Sequence, residues 1–265
     1  ALAKDLGYSY TLLCSEVAIT PEENAQFTAW ARETAGKGLG LFFHAAFGTL
    51  AENIEAVKLA EMAGADIVLL SYPPQFWPTS EQEIYDYTKQ FCDATNLAVM
   101  LFPIPLWGFE RVHPAGMSVE LVRKLLKDCP NIVAIKEAGG SVERVSALRS
   151  VLPAEFEMLS GDDSLTLPFI AAGAVGVISV ASNLIPKEVC GLVNAALAGN
   201  YDDARKSLTR ATDLDTTDAQ GLDALGRAFE GSLEQTNDGK FIESARFAYD
   251  RATKADPKMF HAHLG

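Results

Sequence analysis

The stretch Ile132-Val133-Ala134-Ile135-Lys136-Glu137-Ala138 decides the reading of this chain. Its apolar run, rich in β-branched side chains, predicts a buried strand that delivers one lysine to its end. Taking an ammonium out of water is costly, so a lysine placed there tends toward its neutral form. That form is the one a Schiff-base nucleophile needs, and at an ordinary pKa near 10.4 only about one lysine in a few thousand is neutral at pH 7. The alternative is a lysine just past the strand, snorkelling to water or paired with Glu137. The strand alone leaves both open.

Outward from this strand, short apolar runs alternate with amphipathic helical stretches from the first residues to about position 198. Strands are expected at Tyr8 to Cys14, Leu39 to Phe43, Asp66 to Ser71, Leu97 to Phe102, Ile132 to Lys136, Phe156 to Ser160 and Gly176 to Val180. Thr20-Pro21-Glu22-Glu23, Ser80 and Ser118 carry helix-start signals, and Ala63-Gly64 and Cys129-Pro130 carry stops. Repeated βα units with near-continuous apolar strands suggest a (β/α)8 barrel or a doubly wound sheet. No G-x-G-x-x-G follows a strand, which favours the barrel. In a barrel the chemistry sits at strand C-termini, here Cys14-Ser15-Glu16, His44, Ser71-Tyr72, Phe102, Lys136-Glu137, Gly161-Asp162-Asp163 and Ser179 with Asn183. Among them Lys136 is the nucleophile with an apolar strand behind it. His44 is an acid–base group or a hydrogen-bonded lining residue. Asp162 and Asp163 have no histidine or third carboxylate at metal-ligand spacing, so a helix cap or pocket wall is expected and no metal.

The bulk numbers narrow the classes. The 265 residues are 48% hydrophobic with mean hydropathy +0.08, enough for one large core or a core with an accessory unit. A net charge of -13 argues against nucleic acid or an anionic membrane as the main partner. Cys14, Cys92, Cys129 and Cys190 are widely spaced and read as core filler in a reducing compartment, the cytoplasm. Neither a membrane span nor a secretory signal is visible.

On the segments Asn131 to Ala138, Leu159-Ser160-Gly161-Asp162-Asp163 and Gly173 to Val180 followed by Asn183, the chain resembles the dihydrodipicolinate synthase and N-acetylneuraminate lyase family of class I aldolases, over about Tyr8 to Lys206. The resemblance implies a (β/α)8 TIM-type barrel, a homo-oligomer such as a dimer or tetramer, and no cofactor beyond a covalent imine between Lys136 and the keto carbon of pyruvate or a related 2-oxo acid. The protonated imine then serves as the electron sink for making or breaking a bond at the adjacent carbon. The family's proton relay is altered here. Its tyrosine in a Tyr-Asn-Val-Pro-like segment corresponds to Phe102, and its Gly-Thr-Thr-Gly-Glu segment corresponds to Leu12-Leu13-Cys14-Ser15-Glu16. One tyrosine remains near its paired tyrosines, Tyr72, and Leu106-Trp107 stand where an arginine often follows, with Arg111 as a substitute. Lys136, Tyr72 and Ser15 are therefore the expected catalytic residues. Cys14, His44, Phe102, Trp107, Arg111, Gly161, Asp162 and Ser179 are the expected substrate-binding residues. Phe102, Trp107 and Phe109 make an apolar pocket, suited to a larger or aromatic aldehyde beside the 2-oxo acid.

Two departures complete the expectation. Only seven strands are found, so the barrel is expected to lack its first strand and helix; either the chain is a trimmed version of a longer protein or its subunits associate across the gap. A domain boundary is placed between 1–198 and a helical tail, 199–265. In that tail Ala204-Arg205, Arg210-Ala211-Thr212 and Asp215 recur as Ala245-Arg246, Arg251-Ala252-Thr253 and Asp256, and the stretch resembles a tetratricopeptide repeat. The null alternative is an aldolase's own terminal helices. Two functions remain: a Schiff-base lyase or aldolase with an altered relay, or a catalytically impaired member that binds a protein partner through its tail.

Overall fold

The computed structural model describes residues 5–13, 19–46, 48–73, 75–103, 109–214 and 240–255. The chain divides into two compact units, residues 1–158 and 159–265. In the first, strands and helices alternate: β1 (Tyr10–Leu13), α1 (Pro21–Ala35), β2 (Gly40–Ala45), α2 (Leu50–Ala63), β3 (Ile67–Leu70), α3 (Glu81–Cys92), β4 (Ala98–Leu101), α4 (Val119–Asp128), β5 (Ile132–Glu137) and α5 (Val142–Val151). The strands pair in chain order and all in parallel. Each return between parallel neighbours therefore runs through a helix. All four residues of β3 are buried, as expected of a strand covered on both faces. Phe43, Leu41, Leu69, Leu70, Met100 and Leu101 from the strands, with Ile84, Phe91 and Leu125 from the helices, are shut off from solvent and form the core. Each side chain of that size contributes about 1.5–3 kcal/mol on burial.

The start and stop signals act as their chemistry requires. Thr20 closes a capping box, its hydroxyl accepting from the Glu23 amide at 3.2 Å while its own amide donates to the Glu23 carboxylate at 2.8 Å. Ser80 and Ser118 cap α3 and α4. Gly64 ends α2 at φ 91, a conformation that would strain any residue with a Cβ.

One irregularity matters for the site. β4 and β5 pair as Val99 with Ile132, then Met100 with Ala134 and Leu101 with Ile135, so the register shifts and Val133 is left without a partner. Val133 is 39% exposed and Lys136 partly so, while the other four residues of β5 are buried.

In the second unit the last residues of β6 (Glu157–Ser160) pair in parallel with β7 (Gly176–Val177). The helices α6 (Thr166–Ala171), α7 (Pro186–Leu197), α8 (Tyr201–Leu214) and α9 (Lys240–Ala255) complete it. Leu167 and Ile170 of α6, Leu192 and Ala196 of α7, Ala204 of α8 and Ala248 of α9 form one apolar cluster. Small residues such as Ala196, Ala204 and Ala248 let helices approach closely. Residues 215–239 and 256–265, including His261 and His263, are outside the described residues. All seven expected strands are present with shifted ends. No described helix is long and apolar enough to cross a membrane.

Candidate active site

Lys136 is the penultimate residue of β5, and its neighbour Glu137 shows which way it faces. Successive strand residues point to opposite sides. The Glu137 carboxylate accepts from Arg144 Nε of α5 at 2.9 Å and from the Gly139 amide at 2.8 Å, so Glu137 looks toward the helix layer. Lys136 looks the other way, with Nζ 4.0 Å from the Phe102 ring centroid. The register explains the meeting: Phe102 and Lys136 come one step beyond the last pair, Leu101 with Ile135. The shift at Val133 thus sets which β5 residue lies beside Phe102. The expected alternative of a Lys136–Glu137 pair is overturned, because adjacent strand residues diverge and Glu137 is held by Arg144 in a pair of which both side chains are buried. A ring face near the ammonium favours its charged state and would equally favour a protonated imine.

The neighbouring strands bring a second pair. His44 of β2 and Ser71, just after β3, are buried, with His44 Nε2 and Ser71 Oγ 2.6 Å apart. His44 is thus buried and hydrogen-bonded.

Tyr72 departs from its expected catalytic role. Its ring packs between Tyr87 and Phe109, with centroids at 5.3 and 4.7 Å, and is 2% exposed. Its hydroxyl meets Thr88 Oγ1 of α3 at 2.6 Å. Since Thr88 donates its own proton to the Ile84 carbonyl at 2.7 Å, Tyr72 is the donor. Burial pushes this phenol well above its ordinary range. A proton so held, in the helix layer, is unsuited to a relay. Arg111 is exposed, its guanidinium carbon 4.8 Å from the ring centroid of Trp77, itself 57% exposed. This cation–π contact is where the expected carboxylate-binding substitute is found. Cys14, Ser15 and Trp107 lie outside the described residues.

In the second unit, the residues after β6 hold their own loop together. Asp162 Oδ1 accepts from the Ser164 amide and hydroxyl at 2.7 and 2.6 Å, the helix-cap role expected of it, and Gly161 precedes it. Asp163 Oδ2 accepts from the Val180 and Ala181 amides at 3.0 and 2.9 Å, which fixes the segment after β7. Ser179 Oγ accepts from the Ser182 amide at 2.8 Å. Sequence reasoning missed Arg144 and Thr88, and no local pattern signals them, since each is defined by a partner on another element; Ser71 was among the strand-end candidates.

Comparison with known proteins identifies the family. Residues 16–220 match the model of the Dihydrodipicolinate synthetase family. The 4-hydroxy-tetrahydrodipicolinate synthase of Sulfurihydrogenibium sp. is 42% identical over 163 residues, covering 62% of this chain and 54% of that protein. The enzyme of the same name from Desulforamulus reducens is 38% identical over 174 residues, covering 66% of this chain and 56% of that protein. The chain therefore spans little more than half the length of these curated relatives. The crystal structure of dihydrodipicolinate synthase from Aquifex aeolicus matches with TM-score 0.72 and 31% identity, over 82% of this chain and 73% of that one. The parallel α/β architecture is consistent with the TIM-like barrel implied by the resemblance. With the match extending over most of the sequence, the chain belongs to the Dihydrodipicolinate synthetase family.

Proposed function

We propose that this chain is the core of a Schiff-base-forming lyase or aldolase acting on pyruvate or a related 2-oxo acid, with Lys136 as the nucleophile and a proton relay that differs from its family's. The observation that carries the reading is the side of β5 that Lys136 occupies, turned from the helix layer and set over Phe102. In the reaction the neutral amine adds to the keto carbon, water leaves, and the protonated imine draws electrons from the adjacent carbon. No metal or organic cofactor is required for this step.

Phe102 offers no hydroxyl to move the proton, and the Tyr72 hydroxyl is engaged with Thr88. His44 with Ser71, Ser15 or a water is left for that task, and the apolar ring beside Lys136 suits a larger or aromatic aldehyde partner. The test is intact mass after pyruvate and borohydride, run beside Lys136→Ala. A reduced pyruvate adduct on the parent chain and none on the variant supports the reading. No adduct with pyruvate or with larger 2-oxo acids rejects it.

The same two positions also support a second reading, in which the relay is lost and the segment 199–265 binds a protein. A chain that traps no 2-oxo acid yet retains a partner through that segment would favour it.

A further inference from the structure

Strand alternation sorts the polar side chains of the first unit onto two faces. Tyr72 bonds Thr88 of α3, so the residue before it, Ser71, faces away from the helix layer. Glu137 bonds Arg144 of α5, so Lys136 faces that same side. The register across β2 to β5 agrees: His44 pairs with Leu69, Leu69 with Met100 and Met100 with Ala134. Paired residues of a parallel ladder share a face, and residues two further on return to it. Ser71, Phe102 and Lys136, each two beyond a member of that row, therefore form the next row on the face that carries His44. The ladder continues into this row, the Ser71 amide donating to the Ala45 carbonyl and the Phe102 amide to the Leu70 carbonyl, both at 3.0 Å. His44 starts one row lower and reaches up to it, since its Nε2 meets Ser71 Oγ at 2.6 Å.

One row thus joins a lysine, an apolar ring and a hydroxyl that is bonded to an imidazole. In a barrel this face is the interior, so side chains three strands apart, about 14 Å along the sheet, point toward one another. A 2-oxo acid joined to Lys136 Nζ extends the lysine further toward His44. Of the groups in the row besides the lysine, the imidazole is the one that takes up and returns a proton near neutral pH. His44 keeps 6% exposure and Ser71 none, so the imidazole is the member that meets a substrate and the hydroxyl is the one that holds it. In the tautomer in which Nε2 donates to Ser71 Oγ, the basic lone pair is on Nδ1.

We propose that His44 is the general base and acid of this site and Ser71 its positioning residue, an imidazole standing in for the family's tyrosine relay; the assignment rests on Lys136 forming the imine. On the protonated imine, His44 Nδ1 takes a proton from the carbon next to the imine carbon. The C–H electron pair becomes the new C=C bond, and the C=N π pair moves onto nitrogen. The products are a neutral enamine and an imidazolium, whose Nε2–H remains on Ser71 Oγ. The reverse step returns a proton to that carbon, or a deuteron once the imidazolium has exchanged with heavy water. No other reactant is consumed.

The experiment incubates the full chain with pyruvate in heavy water, follows loss of the methyl proton signal by NMR and traps the imine with borohydride in parallel. Each variant then yields an exchange rate per trapped imine, a ratio that general loss of structure does not move. The parent is expected to exchange the methyl protons, and Lys136→Ala to do so no faster than pyruvate in buffer. His44→Asn, whose amide can still bond Ser71 but cannot take a proton, is expected to lower the rate per imine by about 10²-fold. Ser71→Ala is expected to lower it by about tenfold, the worth of one hydrogen bond, and Ser71→Thr to restore most of it. This second pair carries the test should His44→Asn fail to fold. An adduct that forms without methyl exchange, or exchange per imine unchanged in His44→Asn or in Ser71→Ala, overturns the proposal and leaves the imine standing. Absence of any adduct overturns both.

Discussion

Lys136 and Glu137 are neighbours in the chain and face opposite sides of the same strand, one over the Phe102 ring and the other on Arg144. The pair divides the strand end: one residue sits over an aromatic ring while the next anchors α5.

The anchor is expected to be a large stability element. Both members of the Glu137–Arg144 pair are buried, so removing one leaves an uncompensated charge in the protein interior. Arg144→Met should lose about 3–5 kcal/mol in urea unfolding. The double variant Glu137→Leu with Arg144→Leu should lose less than the two single changes summed, which a double-mutant cycle measures.

Removing the ring beside Lys136 should make its amine easier to deprotonate. The aromatic face favours the cation by about 0.5–2 kcal/mol. In Phe102→Leu the pH of half-maximal imine trapping should therefore fall by about 0.4 to 1.5 units, read from borohydride-trapping rates. Phe102→Tyr keeps the ring and returns a hydroxyl to this position. Turnover of a 2-oxo acid should rise by about 10²-fold if proton transfer limits the parent.

Tyr72→Phe distinguishes a packing tyrosine from a catalytic one. It deletes one buried hydrogen bond, and a loss of about 1 kcal/mol in unfolding free energy is expected. Imine trapping and turnover should stay at the parent's level; a fall of tenfold or more in turnover would return Tyr72 to the relay.

Alkaline pH should expose the buried phenols. Burial pushes Tyr87 up to about 12, its hydroxyl accepting from Asn53 Nδ2 at 2.8 Å. The folded state thus keeps a proton that the unfolded chain gives up near pH 10. The associated stability is complete below pH 10 and is lost as pH rises through 12, by roughly 2 kcal/mol. Tyr87→Phe should flatten that part of the stability profile.

Most of the scaffold was legible because parallel strands covered on both faces leave apolar runs, and because Thr20, Ser80, Ser118 and Gly64 carry capping chemistry in their side chains or in their lack of one. Lys136 was legible for the same reason, as a charge ending an apolar run. The partners were not. Tyr72 looked like a relay residue until Thr88, on a separate helix, was seen to receive its proton, and Arg111 looked like a carboxylate ligand until it was found on Trp77. Such contacts depend on how helices dock, which leaves no periodic mark in the chain.

The unmatched Val133 has a consequence for what changes in length this strand tolerates. Ile132 is tied below to Cys129 and Val99, so the residues beyond Val133 are counted from a fixed origin. Because it is unmatched, Val133 can be lost with Ala134 still on Met100, Ile135 still on Leu101 and Lys136 still beside Phe102. A residue added between Ile135 and Lys136 would instead carry the lysine past the ring and turn it to the Arg144 side, a cation against a cation.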